Sequence, residues 1–599
     1  MSAGADLARV LGDGAEAALA RRAARRERSR EATRRARADR AEWRLLVVSV
    51  FFLAGFAALA GRMTYLAAAE PVEPRLDPAS TTAAAADRAP IVDRNGRLLA
   101  VNLPTWAIYA HPAETARAGV DADEAARLIS SALPELSEEI VRARFAPGRK
   151  FVWIKRPASP AERQAVHDLG IPGVYFGRRE TRLYPAGRIA AHVLGGVTTG
   201  EESVDHAELV GLAGVERSLD AELRDPARAG APLALSLDLV AQAALTEVMG
   251  EAMAEFGAIA ASAVLMDARN GEILAMVSLP DFDPNARPDT HDPKIAKTRP
   301  MMNRVAEGVY ELGSTFKLFT AAQAIDSGVY APESMIDTTG PIRVGKYRIS
   351  DFHRMPPQLS LRDVIVESSN VGTSRVALAI GATAQKTFLE KLGFMKPTSV
   401  EIAEASLGQP LFPDRWSDLS TMTISFGHGL AATQLHLAAA YASLLNGGLR
   451  VEPTLRLDAP PPTEAARVIS AKTSRSLREM LRAVVAEEKG TANFAEVPGY
   501  EVGGKTGTAD KAARGGYDRS KTISTFAGAF PMSAPKYVLV VTLDEASTFR
   551  YGRTWRTAGW TAAPTAGLAV KRIAPLLGMR PAPQPVEPAG AALVDGVSF

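Results

Sequence analysis

Two groups of apolar segments, far apart in the chain, constrain its fold more than any other feature. Residues 261–279 read ASAVLMDARNGEILAMVSL, two strand-like runs joined at Asn270-Gly271. Asn-Gly suits a two-residue hairpin turn because both positions tolerate positive φ. Residues 501–509, 524–531 and 536–545 (EVGGKTGTA, STFAGAFP and KYVLVVTLDE) have the same strand character. Between the groups the pattern is mostly helical, as in 314–326, 361–380 and 433–448, the last closing on the stop signal Gly447-Gly448. A sheet assembled from both ends, with the intervening helices packed on it, is an α/β sandwich: an antiparallel sheet flanked by helices.

The 599 residues suffice for two or three domains. Cysteine is absent, which removes disulfides, thiol chemistry and Cys-based zinc sites. The net charge of +3 is unevenly spread: residues 21–44 hold eleven arginines against four acids, so the rest of the chain nets −4. A general nucleic-acid surface is therefore not indicated. Residues 45–61, LLVVSVFFLAGFAALAG, carry no charge and are flanked by Trp43 and Tyr65. A span needs about 17–25 such residues, with aromatic rings at the interfaces and the basic flank in the cytoplasm. A cleaved signal peptide is the alternative, with AAA at 67–69 as its processing site. The long basic segment and long apolar run favour an uncleaved anchor.

The expected organisation is an Arg-rich cytoplasmic tail (1–44), a transmembrane signal anchor (45–64), an elongated α+β pedestal (65–250), a catalytic-type domain (251–576) and a Pro-rich tail (577–599). The catalytic domain would then lie outside the cytoplasm.

Three short motifs could carry chemistry. Ser314 stands three residues before Lys317, at the start of a helix with apolar residues at Leu318, Ala321, Ala322 and Ile325. Residues i and i+3 share a helix face, so the lysine amine can approach the serine hydroxyl. The bland reading is a polar start to a buried helix, and a second copy of the spacing, Ser533 and Lys536, sits in a Pro-containing turn with no helix to aim it. Ser368 and Asn370 in ESSNVG read blandly as helix capping; functionally they are a proton relay and an amide that fixes a substrate carbonyl. Lys505, Thr506, Gly507 and Thr508 in GGKTGTA read blandly as a glycine-kinked edge strand. Functionally, such a strand docks an extended peptide, with Gly507 allowing close backbone approach. GGKT lacks the spacing of a phosphate-binding loop, and neither an HExxH pair nor a G-x-S-x-G elbow occurs. No cofactor or metal is implied.

Ser-x-x-Lys, Ser-x-Asn and Lys-Thr-Gly, in that order on helix, loop and strand, resemble the active-serine set of penicillin-binding proteins and serine β-lactamases. The segments 303–317, 425–448, DRNGRLLA (93–100) and GVERSLDAEL (214–223) are similar to class B penicillin-binding proteins, the monofunctional peptidoglycan transpeptidases. MVSLPDFDPN (276–285) and YELGSTFK (310–317) look more like the division-specific septal branch than the elongation branch. DEAS at 544–547 departs from the Asp-Glu-Pro that many septal members carry.

The resemblance implies that Ser314 attacks the carbonyl between two terminal D-alanines of a stem pentapeptide. D-Alanine leaves, and an amine from a neighbouring stem resolves the acyl-enzyme as a 4–3 crosslink. Lys317 would be the base, Ser368 the proton relay to the leaving amine and Asn370 the holder of the substrate amide. Lys505 and Thr506 would orient the terminal carboxylate, beside Gly507, and the N–H groups of Ser314 and Thr508 would form the oxyanion hole. It further implies inner-membrane location with a periplasmic catalytic domain, covalent inhibition by β-lactams, and partners in a polytopic glycosyltransferase and other divisome proteins. An elongation-specific role and a non-catalytic division scaffold are the alternatives. At an ordinary pKa of about 10.4, Lys317 would be neutral in roughly one molecule in 2,500 at pH 7. A working base therefore requires a depressed pKa, which burial near Lys505 would supply.

Overall fold

The computed structural model describes Trp43 and residues 48–60, 88–204, 207–228, 230–513 and 516–583. The chain divides into two compact units, residues 1–84 and 85–599. In the first, residues 48–60 are helical and exposed. The rest of the apolar run 45–61 lies outside the described residues, as do the linker up to 87 and the tail beyond 583. Among the described residues, no helix is long and apolar enough to cross a membrane.

The second unit begins with the pedestal. Strand β1 (Leu98–Ala110) pairs antiparallel with β2 (Val152–Ala158) and β3 (Val174–Leu183). Period-two alternation sends Ile108 and Ala110 to one face, where they are buried with Ile129, Val141, Ile154 and Val166 of the covering helices and strand. Those helices start on caps the sequence supplies: Asp121 accepts the Glu124 N–H at 2.8 Å, and Ser159 and Glu162 form a reciprocal capping box. The turn after Ile91–Val92 carries Gly96 at φ +79. At the pedestal's base Glu216, with no exposure, joins the guanidiniums of Arg88 and Arg182. This ion triad knits three remote segments into one body.

The larger domain is built on a five-stranded antiparallel sheet. Its strands are β4 (Ala260–Asp267), β5 (Ile273–Leu279), β6 (Gly503–Ala513), β7 (Gly516–Phe530) and β8 (Tyr537–Asp544), in spatial order β6-β7-β8-β4-β5. Register sets Val264 opposite Met276 on one side and Val540 on the other, so the two ends of the domain meet in the middle of the sheet. Every residue of β4 and β5 is buried, because helices cover both faces. Helices α1 (Leu239–Glu255) and α7 (Ala562–Leu576) pack together on one. Helix α5 (Gln434–Leu445), buried at all its residues, packs on the other.

Helix α1 runs across residues 250 and 251 and is tied to the sheet: the Gln242 side-chain amide donates to Met276 O at 2.9 Å and accepts from Met276 N at 2.7 Å. Among the described residues, strand β6 pairs with β7 alone and lies at the sheet edge, against the turn Gly313–Phe316.

Candidate active site

Ser314 sits in a single 3₁₀ turn, Gly313–Phe316, that runs directly into helix α2 (Lys317–Asp326). The sequence suggested one helix from Ser314 onward; the tighter first turn arises where Gly313 enters at φ +57. The helix is anchored in the core. Phe316, Phe319 and Phe394 pack with ring centroids 5.0–5.2 Å apart, and the buried Tyr441 of α5 donates its hydroxyl to Thr315 O at 2.8 Å. This scaffold leaves Ser314 half-buried while Lys317 is fully enclosed.

The turn is pressed against β6. A Cβ at Gly507 would lie 2.2 Å from Leu312 O, and one at Gly313 would lie 2.8 Å from Thr508 O. Only hydrogen fits at either position, so the two glycines set the spacing between the Ser314 turn and the strand.

The Lys317 amine donates to the backbone carbonyl of Ser368 and, at 3.0 Å, to its Oγ. No hydrogen bond joins Lys317 to Ser314, although they share a helix face; the amine's held direction is toward the second motif. Ser368 lies between helices α3 (Leu361–Val366) and α4 (Asn370–Ile380), at φ +65. A non-glycine residue in this region is strained, and such strain persists where the surroundings over-determine it. The junction agrees with the capping character of ESSNVG; its left-handed backbone at Ser368 is what local sequence does not show.

The capping expected of this segment falls on Ser369, whose Oγ accepts the Gly372 N–H at 2.9 Å. That leaves Ser368 and Asn370 for the site. A residue that sequence reasoning missed, Asp351, holds the junction together. Its carboxylate accepts from Ser369 Oγ at 3.0 Å, from Val371 N at 3.0 Å and from Asn370 N, while the Asn370 amide donates to Ser350 O at 3.1 Å. No local pattern could reveal it, because it caps a helix that begins many residues later in the chain.

Lys505 is also fully buried. Its amine reaches Thr506 O at 3.2 Å and Thr491 Oγ1 at 3.3 Å, and Thr506 Oγ1 donates to Thr491 Oγ1 at 3.0 Å. Thr491 was likewise missed. Thr508 Oγ1 accepts the Ala558 N–H at 2.9 Å, holding the loop before α7 against the strand.

Two ammonium-bearing side chains thus share one dry region. Burial holds Lys317 well below the ordinary lysine range, and the neighbouring Lys505 charge pushes it further down against a smaller opposing pull from Asp351. Burial lowers Lys505 to about 7. An unprotonated amine at 317 has two N–H donors and one lone pair. Both donors are used on Ser368, and the lone pair remains for the hydroxyl one helix turn away. The site can abstract a proton from Ser314, pass it to Ser368 and bind an extended chain along the free edge of β6. The decoy pair lacks all of this: the Ser533 N–H donates to Glu501 at 3.0 Å in a surface turn.

Comparison with known proteins follows these features. A family model described as the penicillin binding protein transpeptidase domain matches residues 261–560, and one described as the penicillin-binding protein dimerisation domain matches 83–227. The chain is 38% identical over 504 residues to the "Probable peptidoglycan D,D-transpeptidase FtsI" of Caulobacter vibrioides, covering 82% of each. It is 31% identical over 531 residues to the peptidoglycan D,D-transpeptidase FtsI of Escherichia coli, covering 85% of this chain and 88% of that one. Among solved structures it is similar to penicillin-binding protein 3 of Mycobacterium tuberculosis complexed with aztreonam. That match has a TM-score of 0.62 and 26% identity, over 83% of this chain and 98% of that one.

Proposed function

The chain belongs to the class B penicillin-binding proteins, which join a dimerisation domain to a transpeptidase domain, and on that premise we propose how it works as a serine peptidoglycan D,D-transpeptidase. The observation that carries the reading is the convergence of Ser314, Lys317, Ser368 and Lys505 around one enclosed pair of depressed amines beside a free strand edge.

The donor stem peptide lies along β6 as an added strand. Lys505 and Thr506 meet its terminal carboxylate, and Asn370 holds its backbone amide. Lys317 takes the Ser314 proton as Oγ attacks the carbonyl of the penultimate D-alanine. The N–H groups of Ser314 and Thr508 bind the oxyanion, a term worth about 3–4 kcal/mol per donor in other acyl-transfer enzymes. Ser368 delivers the proton to the departing amine, and the C–N bond breaks to release D-alanine. An amine from a second stem then attacks the ester, gives up its proton through the same relay and restores Ser314. A β-lactam enters as the donor mimic and stays, because its leaving group remains tethered.

The apolar run 45–61, with its arginine flank, supports a single-pass anchor that holds the catalytic domain on the periplasmic side of the inner membrane. The septal-type segments 276–285 and 310–317 support a role at division, beside a polytopic glycosyltransferase that meets the anchor and pedestal. The first test follows acylation and deacylation with a penicillin. A transpeptidase holds the adduct for hours, whereas turnover within seconds to minutes would make the protein a β-lactamase. Localisation of a tagged copy tests the division role: signal spread evenly along the sidewall would reject it.

A further inference from the structure

A cavity of about 390 Å³ adjoins the catalytic turn on the side away from Lys505. Its walls include Glu311, Leu411, Phe412, Asp510 and Tyr517. Glu311 stands three residues before Ser314, and Asp510 two residues beyond Thr508 on the same strand face, so the cavity continues the groove in which an added strand would lie. Leu411 and Phe412 present apolar surface to it and are 61% and 41% exposed.

The polar groups of this cavity are unequal. Glu311 is turned inward: its Oε1 accepts from Gly429 N at 2.8 Å and Tyr517 OH at 2.9 Å, and its buried Oε2 makes no hydrogen bond but lies 3.0 Å from His428 Nδ1. Lys511 is spent on Asp544 and Glu545, each at 2.9 Å. Asp510 is half-exposed, and among the described residues no hydrogen bond or ion pair is made to its carboxylate. Among the described residues, Asp510 is thus the carboxylate of this cavity that has neither a hydrogen bond nor an ion pair, above an aliphatic and aromatic wall, which suits an ammonium on a short apolar stem.

Geometry says which part of a donor reaches it. The donor's terminal carboxylate is toward Thr506 and its reacting carbonyl at Thr508. The preceding residues must continue past Ala509 and Asp510, about 3.3 Å per residue. Both stems of a crosslink share one composition, so the donor carries, at its third position, the same side-chain amine that the acceptor uses for attack. We propose that this cavity receives the amine-bearing side chain of the donor's third residue and that Asp510 pairs with its ammonium. The inference rests on the transpeptidase reading and makes Asp510 a specificity residue for the diamino acid.

The test measures acylation of the full-length protein by two synthetic thioester donors ending in the D-alanyl thioester, one with a free side-chain amine and one with that amine acetylated. The wild-type protein is expected to acylate about twofold to fivefold faster (kcat/KM) with the free amine, the range of a partly exposed ion pair. In Asp510→Asn that ratio falls to about one, and in Asp510→Glu it survives. Because the ratio is taken within each protein, partial misfolding of a variant does not alter it. A wild-type ratio near one, or an unchanged ratio in Asp510→Asn, overturns the inference. So does an effect of acetylation confined to the second step, in which added acceptor resolves a preformed acyl-enzyme, since the cavity would then serve the acceptor. Benzylpenicillin separates the two levels: if it acylates Ser314 while the ratio stays near one, the inference alone fails. If neither donor nor penicillin acylates, the transpeptidase reading fails and takes the inference with it.

Discussion

Replacing Gly507 by alanine tests the spacing on which the site depends. The added methyl would meet Leu312 O at 2.2 Å and Thr315 Cγ2 at 2.9 Å. The first is a backbone atom that no rotamer change can move, so β6 and the Ser314 turn must part by about 1 Å to regain van der Waals contact. Overpacking of this kind costs about 1–3 kcal/mol in stability. The larger effect falls on chemistry: a displacement of about 1 Å between nucleophile and oxyanion donor costs roughly 10²-fold in rate. Acylation by a fluorescent penicillin, measured with thermal unfolding on the same preparation, separates the two. Acylation should fall by about two orders of magnitude in protein that still unfolds cooperatively. Gly250→Ala is the control, since residue 250 lies mid-helix in α1 with no atom within 4 Å of a new Cβ; it should acylate normally and gain up to about 1 kcal/mol. Wild-type acylation by Gly507→Ala would refute the argument that glycine is required for close approach.

Other perturbations follow from the same contacts. Asp351→Asn removes the charge that caps α4 and partly offsets the depression of Lys317, so acylation should slow about tenfold while the acidic limb of its pH profile moves to lower pH; a slower reaction with an unmoved limb would make Asp351 purely structural. Lys505→Met should raise the melting temperature at neutral pH. Because burial takes residue 505 from 10.5 to about 7, the unfolded chain holds a proton that the folded chain has released. Stability should therefore rise with pH across that window in the wild type and lose that rise in the variant; equal pH dependence in both would contradict the burial account. Glu216→Gln leaves Arg88 and Arg182 enclosed without their full counter-charge and should cost about 3–5 kcal/mol in urea unfolding. Ser533→Ala should leave penicillin labelling unchanged.

Much of this was legible in the sequence. Apolar runs marked all five strands of the central sheet, and the hairpin at Asn270-Gly271 and the stop at Gly447-Gly448 follow from local backbone chemistry. The three motifs stand out in the sequence by residue type and spacing, and the fold brings Lys317 against Ser368. What stayed hidden depends on contacts between distant segments. Asp351 and Thr491 act on residues that only folding brings near, and Tyr441 looks like any core aromatic until its hydroxyl meets Thr315 O. The positive φ of Ser368 is imposed by its surroundings: ESSNVG marked a junction within 361–380 but not its conformation. Helix α1 is apolar nearly all round, and periodicity does not say which surface it covers.

The central claim is that Ser314 forms the acyl-enzyme. Intact-mass analysis after incubation with benzylpenicillin, followed by peptide mapping, tests it most directly. The account predicts one stable adduct per chain, located on the peptide containing Ser314 and absent from Ser314→Ala. An adduct that persists in that variant, or that maps to Ser368 or Ser533, would contradict it.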